Sequence, residues 1–204
     1  MDNTLRDAIK NNNVKLVEEL IDEGADVSQV DKYGATPLHI AALFGQLAVA
    51  QLLIDKGADI KQTDTDGQTP LYLAAQEGQL ALAQLLLDRG ADINQADTFG
   101  RTPLYIAALF GQLDVAQLLL DRGADINQAN TFGMTPLWVA EKYGHTEIVD
   151  LLKKALDHTK KIEPETDKIN MIVNKIDSLF DKIERLEEII KGKQNGKYAK
   201  RRNI

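Results

Sequence analysis

An all-α solenoid of stacked short helix pairs, followed by one long amphipathic helix, is the fold class that this 204-residue sequence predicts. Three observations carry that expectation. Thr36-Pro37-Leu38-His39-Ile40-Ala41 returns as Thr69-Pro70-Leu71-Tyr72-Leu73-Ala74, then as Thr102-Pro103-Leu104-Tyr105-Ile106-Ala107 and Thr135-Pro136-Leu137-Trp138-Val139-Ala140, 33 residues apart each time. A second marker, Gly24-Ala25-Asp26, keeps the same beat at Gly57, Gly90 and Gly123. Beyond the repeats, Ile169, Ile172, Ile176, Leu179, Ile183, Leu186 and Ile190 alternate spacings of three and four. Two markers in phase define a repeat array, and the alternating spacing defines a heptad stripe.

Within one unit each marker has a physical task. The Thr36 hydroxyl caps a helix, and Pro37 occupies the first helical position, where a missing N–H costs nothing. Leu38, Ala41 and Ala42 follow at helical spacing, the alanines admitting a neighbouring helix at close range. Gly45 ends this short helix by accepting a left-handed backbone. Val49, Leu52 and Leu53 give a second helix its apolar stripe, which Gly57 ends. Gly34, Gly67, Gly100 and Gly133 precede the Thr-Pro caps, where a tight turn requires positive φ. Such a unit of turn, helix, turn and helix cannot bury its apolar face without a neighbour.

The period of 33 and the Thr-Pro-Leu-His-Ile-Ala motif at residues 36–41 resemble the ankyrin repeat. The resemblance covers residues 1–157, as units 1–30, 31–63, 64–96, 97–129 and 130–157. Residues 31–129 hold three full repeats. The first unit reads as an N-terminal cap, with Leu5 and Ala8 in helix phase but Asn12-Asn13 in place of Gly-Gln. The last reads as a C-terminal cap, since Lys153-Lys154 and Asp157 stand where another Gly-Ala-Asp would fall.

Composition closes off several function classes. With no cysteine, neither disulfides, thiolate catalysis nor cysteine-ligated zinc is available, and His39, His145 and His158 are too scattered for a metal site. No Ser-His-Asp set or nucleotide loop stands out. Gly192-Lys193-Gln194-Asn195-Gly196-Lys197 places three residues, not four, between its glycines and continues with Tyr198, so it is no P-loop. Asp26, Asp59, Asp92 and Asp125 recur once per repeat, as turn residues do. The 47 residues beyond the array are too few for a catalytic domain, so a non-catalytic protein without cofactor is expected. The opening Met1-Asp2-Asn3-Thr4 shows no secretory leader, and no apolar run is long enough to span a bilayer. A soluble, cytoplasmic protein is expected, with the nucleus, or the host cytoplasm for a microbial effector, as alternatives.

The net charge of −7 is unevenly spread. Residues 191–204 carry six basic and no acidic side chains, leaving 18 basic against 31 acidic on residues 1–190, a net of −13. An acidic body disfavours polyanions, so nucleic acid is a possible partner only through the tail, where Lys197, Lys200, Arg201 and Arg202 cluster. The alternative is that residues 192–204 are a solvated, disordered tail.

Residues 64–96 and 97–129 are identical at 26 of 33 positions, which isolates the differences: Asp66/Phe99, Gln68/Arg101, Gln76/Leu109 and Glu77/Phe110 are among them. The ankyrin resemblance implies that these columns are the hairpin tip and the exposed end of the first helix, lining the concave surface on which protein partners bind. Down the array the tip column reads Tyr33, Asp66, Phe99 and Phe132; the helix-end column reads Phe44, Glu77, Phe110 and Tyr143. Six of the eleven aromatic residues thus fall in two columns expected to face solvent. These aromatics are candidate anchors for a protein or peptide. Asp66 and Glu77 form an acidic notch suited to a basic residue of the partner, and Lys32, Arg101 and Arg122 form a basic rim. Tyr72, Tyr105 and Trp138 replace the family's usual histidine and are assigned to packing between repeats; His39 is assigned to hydrogen bonding within the turn.

After a linker at 158–165, residues 166–191 are expected as one amphipathic helix. Isoleucine at the a positions with leucine at two of three d positions favours a parallel dimer, while Ile172 at d and apolar Val173 and Phe180 at e leave a trimer or tetramer open. Folding back onto the last repeat and pairing with a foreign helix are the competing readings. A binding module that self-associates is the leading function; a structural assembly subunit and a nucleic-acid or nuclear factor are the alternatives.

Overall fold

The computed structural model describes residues 3–157, together with 169, 171–176, 178–180, 182 and 183. The chain divides into two units, 1–155 and 156–204. In the first, helices alternate in chain order: α1 (Asn3–Lys10), α2 (Val14–Asp22), α3 (Pro37–Leu43), α4 (Leu47–Asp55), α5 (Pro70–Gln76), α6 (Leu80–Asp88), α7 (Pro103–Phe110), α8 (Leu113–Asp121) and α9 (Pro136–Tyr143). Residues 146–157 are also helical, and no strand occurs among the described residues.

Helices of seven to nine residues are too short to persist alone in water, where about 12–15 residues are needed. Stacking supplies what length does not. Odd-numbered α1 to α9 pack in one layer, each on the next, and even-numbered α2 to α8 pack in a second. Between them lie Leu38, Leu71 and Leu104 from the first layer and Leu53, Leu86 and Leu119 from the second, all fully buried. The paired alanines 41/42, 74/75 and 107/108 are equally buried, which lets consecutive helices approach closely.

The ends of the helices follow the sequence logic. Thr36, Thr69, Thr102 and Thr135 each accept the backbone N–H three residues on, with proline at the start of each helix. Where later units turn on Gly45, Gly78, Gly111 and Gly144, the first uses Asn12 at φ +53°, the one positive-φ residue among those described that is not glycine. Asparagine tolerates that region better than other side chains. The neighbouring Asn13 caps α2 by accepting from Leu16 N–H.

A ladder of ion pairs tracks the second layer: Lys56 to Asp22, Arg89 to Asp55 and Arg122 to Asp88, at 2.7, 3.0 and 2.9 Å. Arg122 is therefore held at the end of α8 and is not part of a basic rim beside Lys32 and Arg101. These exposed pairs add little stability and serve mainly to fix register.

Gly67 tests how closely hairpins approach. Its φ is +80°, and a Cβ there would lie 2.9 Å from the Thr98 backbone nitrogen, whereas Gly90 at φ +89° has open space around it. Gly90→Ala is expected to cost about 1–2 kcal/mol for the strained backbone alone. Gly67→Ala should cost more, because the next hairpin must also shift; urea unfolding of the two variants measures the difference.

In the second unit the described residues are helical. Ile169, Ile172, Ile176, Leu179 and Ile183 are all exposed, as are Met171, Val173 and Phe180. Leu186 and Ile190 of the predicted stripe, the linker at 158–165 and the tail residues Lys197, Lys200, Arg201 and Arg202 lie outside the described residues.

Candidate functional site

The hairpins are held by main chain and by one aspartate or asparagine side chain per unit, which frees their tips. In each, residue 31, 64, 97 or 130 donates its N–H to the carbonyl four residues on. The same residue's side chain accepts two N–H bonds from the turn, as Asp97 Oδ1 does from Phe99 and Arg101. Between units, the N–H groups of Thr65, Thr98 and Thr131 donate to the carbonyls of Tyr33, Asp66 and Phe99. The tip residues are thus fixed through their main chain, by N–H bonds to the side chain two residues before and, at Tyr33, Asp66 and Phe99, by their carbonyls as well. Tyr33, Asp66, Phe99 and Phe132 are all exposed, Phe132 most of all at 72%.

The helix-end column is anchored in a comparable way. The side-chain amides of Gln46 and Gln112 and the imidazole Nε2–H of His145 donate to the carbonyls of Lys10, Gln76 and Leu109 at 3.0, 2.9 and 3.1 Å. Phe44, Glu77, Phe110 and Tyr143, one position beyond those carbonyls or their equivalents, are exposed.

Histidine and its replacements join neighbouring units. His39 Nε2–H donates to the Gln68 carbonyl at 3.0 Å, since a carbonyl can only accept. Nδ1 is then the acceptor for the Thr36 hydroxyl and N–H. Burial lowers the His39 pKa below its ordinary value, opposed by the Gln68 bond. In the next unit the Tyr72 hydroxyl donates to Asp97 Oδ2 at 3.1 Å. Burial, with the Asp97 charge, holds that phenol well above its usual pKa, so it keeps its proton. Tyr105 accepts from Asn130 Nδ2 at 3.1 Å, and burial raises its pKa too. Tyr72 and Tyr105 are 1% and 3% exposed, but Trp138, in the same column, is 42% exposed.

That exposure opens a groove of about 330 Å³ between the hairpins and first-layer helices of the last two units. Phe99, Arg101, Phe132, Trp138, Lys142 and Tyr143 form its walls, with buried Tyr105 and Val139 beneath. The structure thereby unites Phe99, Arg101, Phe132 and Tyr143 of the predicted set. Tyr33, Phe44, Asp66, Glu77 and Phe110 are exposed on the same columns but do not line this groove. Cations lie over the rings along the whole face: Lys10 over Phe44, Lys32 over Tyr33, Arg101 over Phe99 and Lys142 over Trp138, at 4.6–5.4 Å from the ring centroids.

Asp97 is the one buried carboxylate at this face. Its side chain is wholly inaccessible, and Arg101 pairs with Oδ2 through Nε and Nη2 at 2.7 and 2.6 Å. With Tyr72 and two backbone N–H groups also bonded, nothing of it is left for chemistry. Among the described residues no group of three or more histidine, cysteine, aspartate or glutamate side chains is placed to hold a metal. None of their helices is long and apolar enough to cross a membrane.

The family model for ankyrin repeats matches three times, over residues 5–97, 61–130 and 94–162. The chain belongs to the ankyrin repeat family. An ankyrin repeat protein of fowlpox virus (strain NVSL) is 38% identical over 48 residues, 24% of this chain. The match covers 34% of that viral protein, so the chain spans about a third of its relative's length.

Ankyrin repeats are protein–protein interaction modules, typically non-catalytic, whose stacked units present an extended concave surface. Three groove residues escaped the sequence reading. Trp138 is assigned to packing in the sequence, but among the described residues no following hairpin covers the ring as Asp97 and Asn130 cover the tyrosines. Lys142 and Met134 lie in columns that vary freely, Leu43/Gln76/Leu109/Lys142 and Ala35/Gln68/Arg101/Met134. That variability was the available signal.

Proposed function

We propose that this chain is a non-catalytic adaptor or inhibitor that grips a protein or peptide partner on the aromatic face of its ankyrin array, and that it self-associates through its C-terminal helix. The observation behind the first half is the groove at the last two units, where Phe99, Phe132, Trp138 and Tyr143 are 42–72% exposed around a single concavity. Aromatic side chains lose little conformational entropy on binding and bury large areas, which makes them the usual hot spots of interfaces. Asp66 and Glu77, exposed on the middle repeat, and Tyr33, Phe44 and Phe110 extend the surface available to a larger partner.

The test is capture of partners from host lysate with nuclease present, beside the double variant Phe132→Ala with Trp138→Ala. Phe132 is 72% and Trp138 42% exposed, and the circular dichroism of the variant is expected to match wild type. A partner bound through the groove should lose at least about 30-fold in affinity, the equivalent of roughly 2 kcal/mol at a hot spot. Partners held equally by both proteins would move the site elsewhere.

The exposed apolar stripe of the C-terminal helix supports a second reading, a structural assembly subunit whose helix matters more than its groove. Loss of the captured complex in Ile176→Asp with Ile183→Asp, but not in the groove variant, would favour it. A role for the basic tail in nucleic-acid or nuclear binding calls for deletion of residues 197–204 and a steep salt dependence before deletion.

A further inference from the structure

The groove of the last two units is lined by two cations and no acid. The charge of Arg101 is matched by buried Asp97, which takes both Nε and Nη2. Lys142 is differently placed. Its Nζ lies 4.6 Å from the Trp138 ring centroid and 6.0 Å from that of Tyr143. No ion pair holds it among the described residues, and the adjacent carboxylate, Glu141, is paired with Lys153 at 2.9 Å. The equivalent positions in the other units are Leu43, Gln76 and Leu109, so stacking does not require a cation there. What Lys142 adds is a positive charge beside a wall of exposed rings.

Resting on the reading that this groove holds a protein partner, the geometry points to its occupant: a peptide segment in which a carboxylate is flanked by bulky apolar side chains. The carboxylate faces Lys142, and its apolar neighbours lie on Phe132, Trp138 and Met134. A groove of about 330 Å³ sits at the small end of the ~300–1,000 Å³ that ligand pockets span, which suits a few side chains of a longer segment. The acidic body opposes an acidic guest, but screening within about 8 Å at physiological salt leaves the nearest charges to decide. Of the two charges that line the groove, Arg101 is matched by Asp97, and Lys142 is the one without an ion pair among the described residues. A basic segment would instead have to seat its cation beside them, since neither Asp66 nor Glu77 lines the groove.

The experiment is selection of a random peptide library on the full-length protein at physiological salt, followed by affinity measurement of the enriched peptides as synthetic probes. Enrichment of aspartate or glutamate next to tryptophan, phenylalanine or leucine is expected. Such a peptide should weaken at least tenfold on Lys142→Glu, and changing its acid to lysine should restore binding to that variant. Peptides that depend on Phe132 and Trp138 but are basic or neutral at this position, or are indifferent to Lys142→Glu, would overturn the acidic assignment alone. Enriched peptides unaffected by Phe132→Ala and Trp138→Ala, or a library yielding none that depends on them, would overturn the groove itself.

Discussion

Replacing Asp97 by alanine is expected to destabilise the array by about 3–5 kcal/mol, the usual consequence of removing one partner from a buried ion pair. Five bonds end on this carboxylate: from Tyr72, from the Phe99 and Arg101 backbone, and two from the Arg101 guanidinium. Alanine would leave the buried phenol and the half-buried guanidinium without their acceptor. Asparagine at this position should cost roughly half as much, and the protein itself shows why. Asn130 occupies the same place one unit on, accepting from Phe132 and Met134 N–H through Oδ1 and donating to Tyr105 through Nδ2. Asp97→Asn therefore keeps the two turn bonds, reverses the Tyr72 bond so that Nδ2 donates to the phenol oxygen, and loses the charge-assisted pair with Arg101, for which about 1.5–3 kcal/mol is reasonable. Urea denaturation followed by circular dichroism ranks the two. Equal losses would mean that the pairing with Arg101 carries nearly all the stabilisation and the turn bonds very little.

The parts of this fold that repeat were legible, because a repeated residue reveals its task by recurring at the same turn. Thr36 and Pro37 announce a capped helix start, and their three copies leave no other phase for the array. Asn12 could be aligned with the turn glycines because it stands in their place and shares their backbone. The exposed columns were readable for the opposite reason: Tyr33, Asp66 and Phe99 differ because the hydrogen bonds that hold them use their main chain and not their side chains. What failed to show was whatever depends on the array coming to an end. Trp138 shares a column with buried Tyr72 and Tyr105, and nothing in its own unit says that no hairpin follows. Arg122 was misplaced although its partner could have been found, since Asp22/Lys56, Asp55/Arg89 and Asp88/Arg122 all stand 34 residues apart. The pairing of Arg101 with Asp97 combines a separation of four with a tyrosine 25 residues earlier, a contact across units that one unit cannot show.

Full-length protein is expected to scatter light as an assembly larger than its 22.6 kDa chain, and Ile176→Asp with Ile183→Asp to return it to that mass. Both isoleucines are a residues of the heptad stripe and about half exposed on the described helix, so neither substitution removes a contact described within the chain. Helix pairing buries them at the seam, where an unpaired carboxylate costs several kcal/mol. Two such charges per chain meet two more across a dimer, so association should weaken more than about a thousandfold, for which roughly 4 kcal/mol suffices. A monovalent groove peptide should bind the variant as well as it binds wild type. A partner with several binding segments should not, because linked grooves can gain on the order of a hundredfold in avidity without any new contact. Wild-type protein that remains a concentration-independent monomer would remove the assembly, and the groove would then have to account for affinity alone.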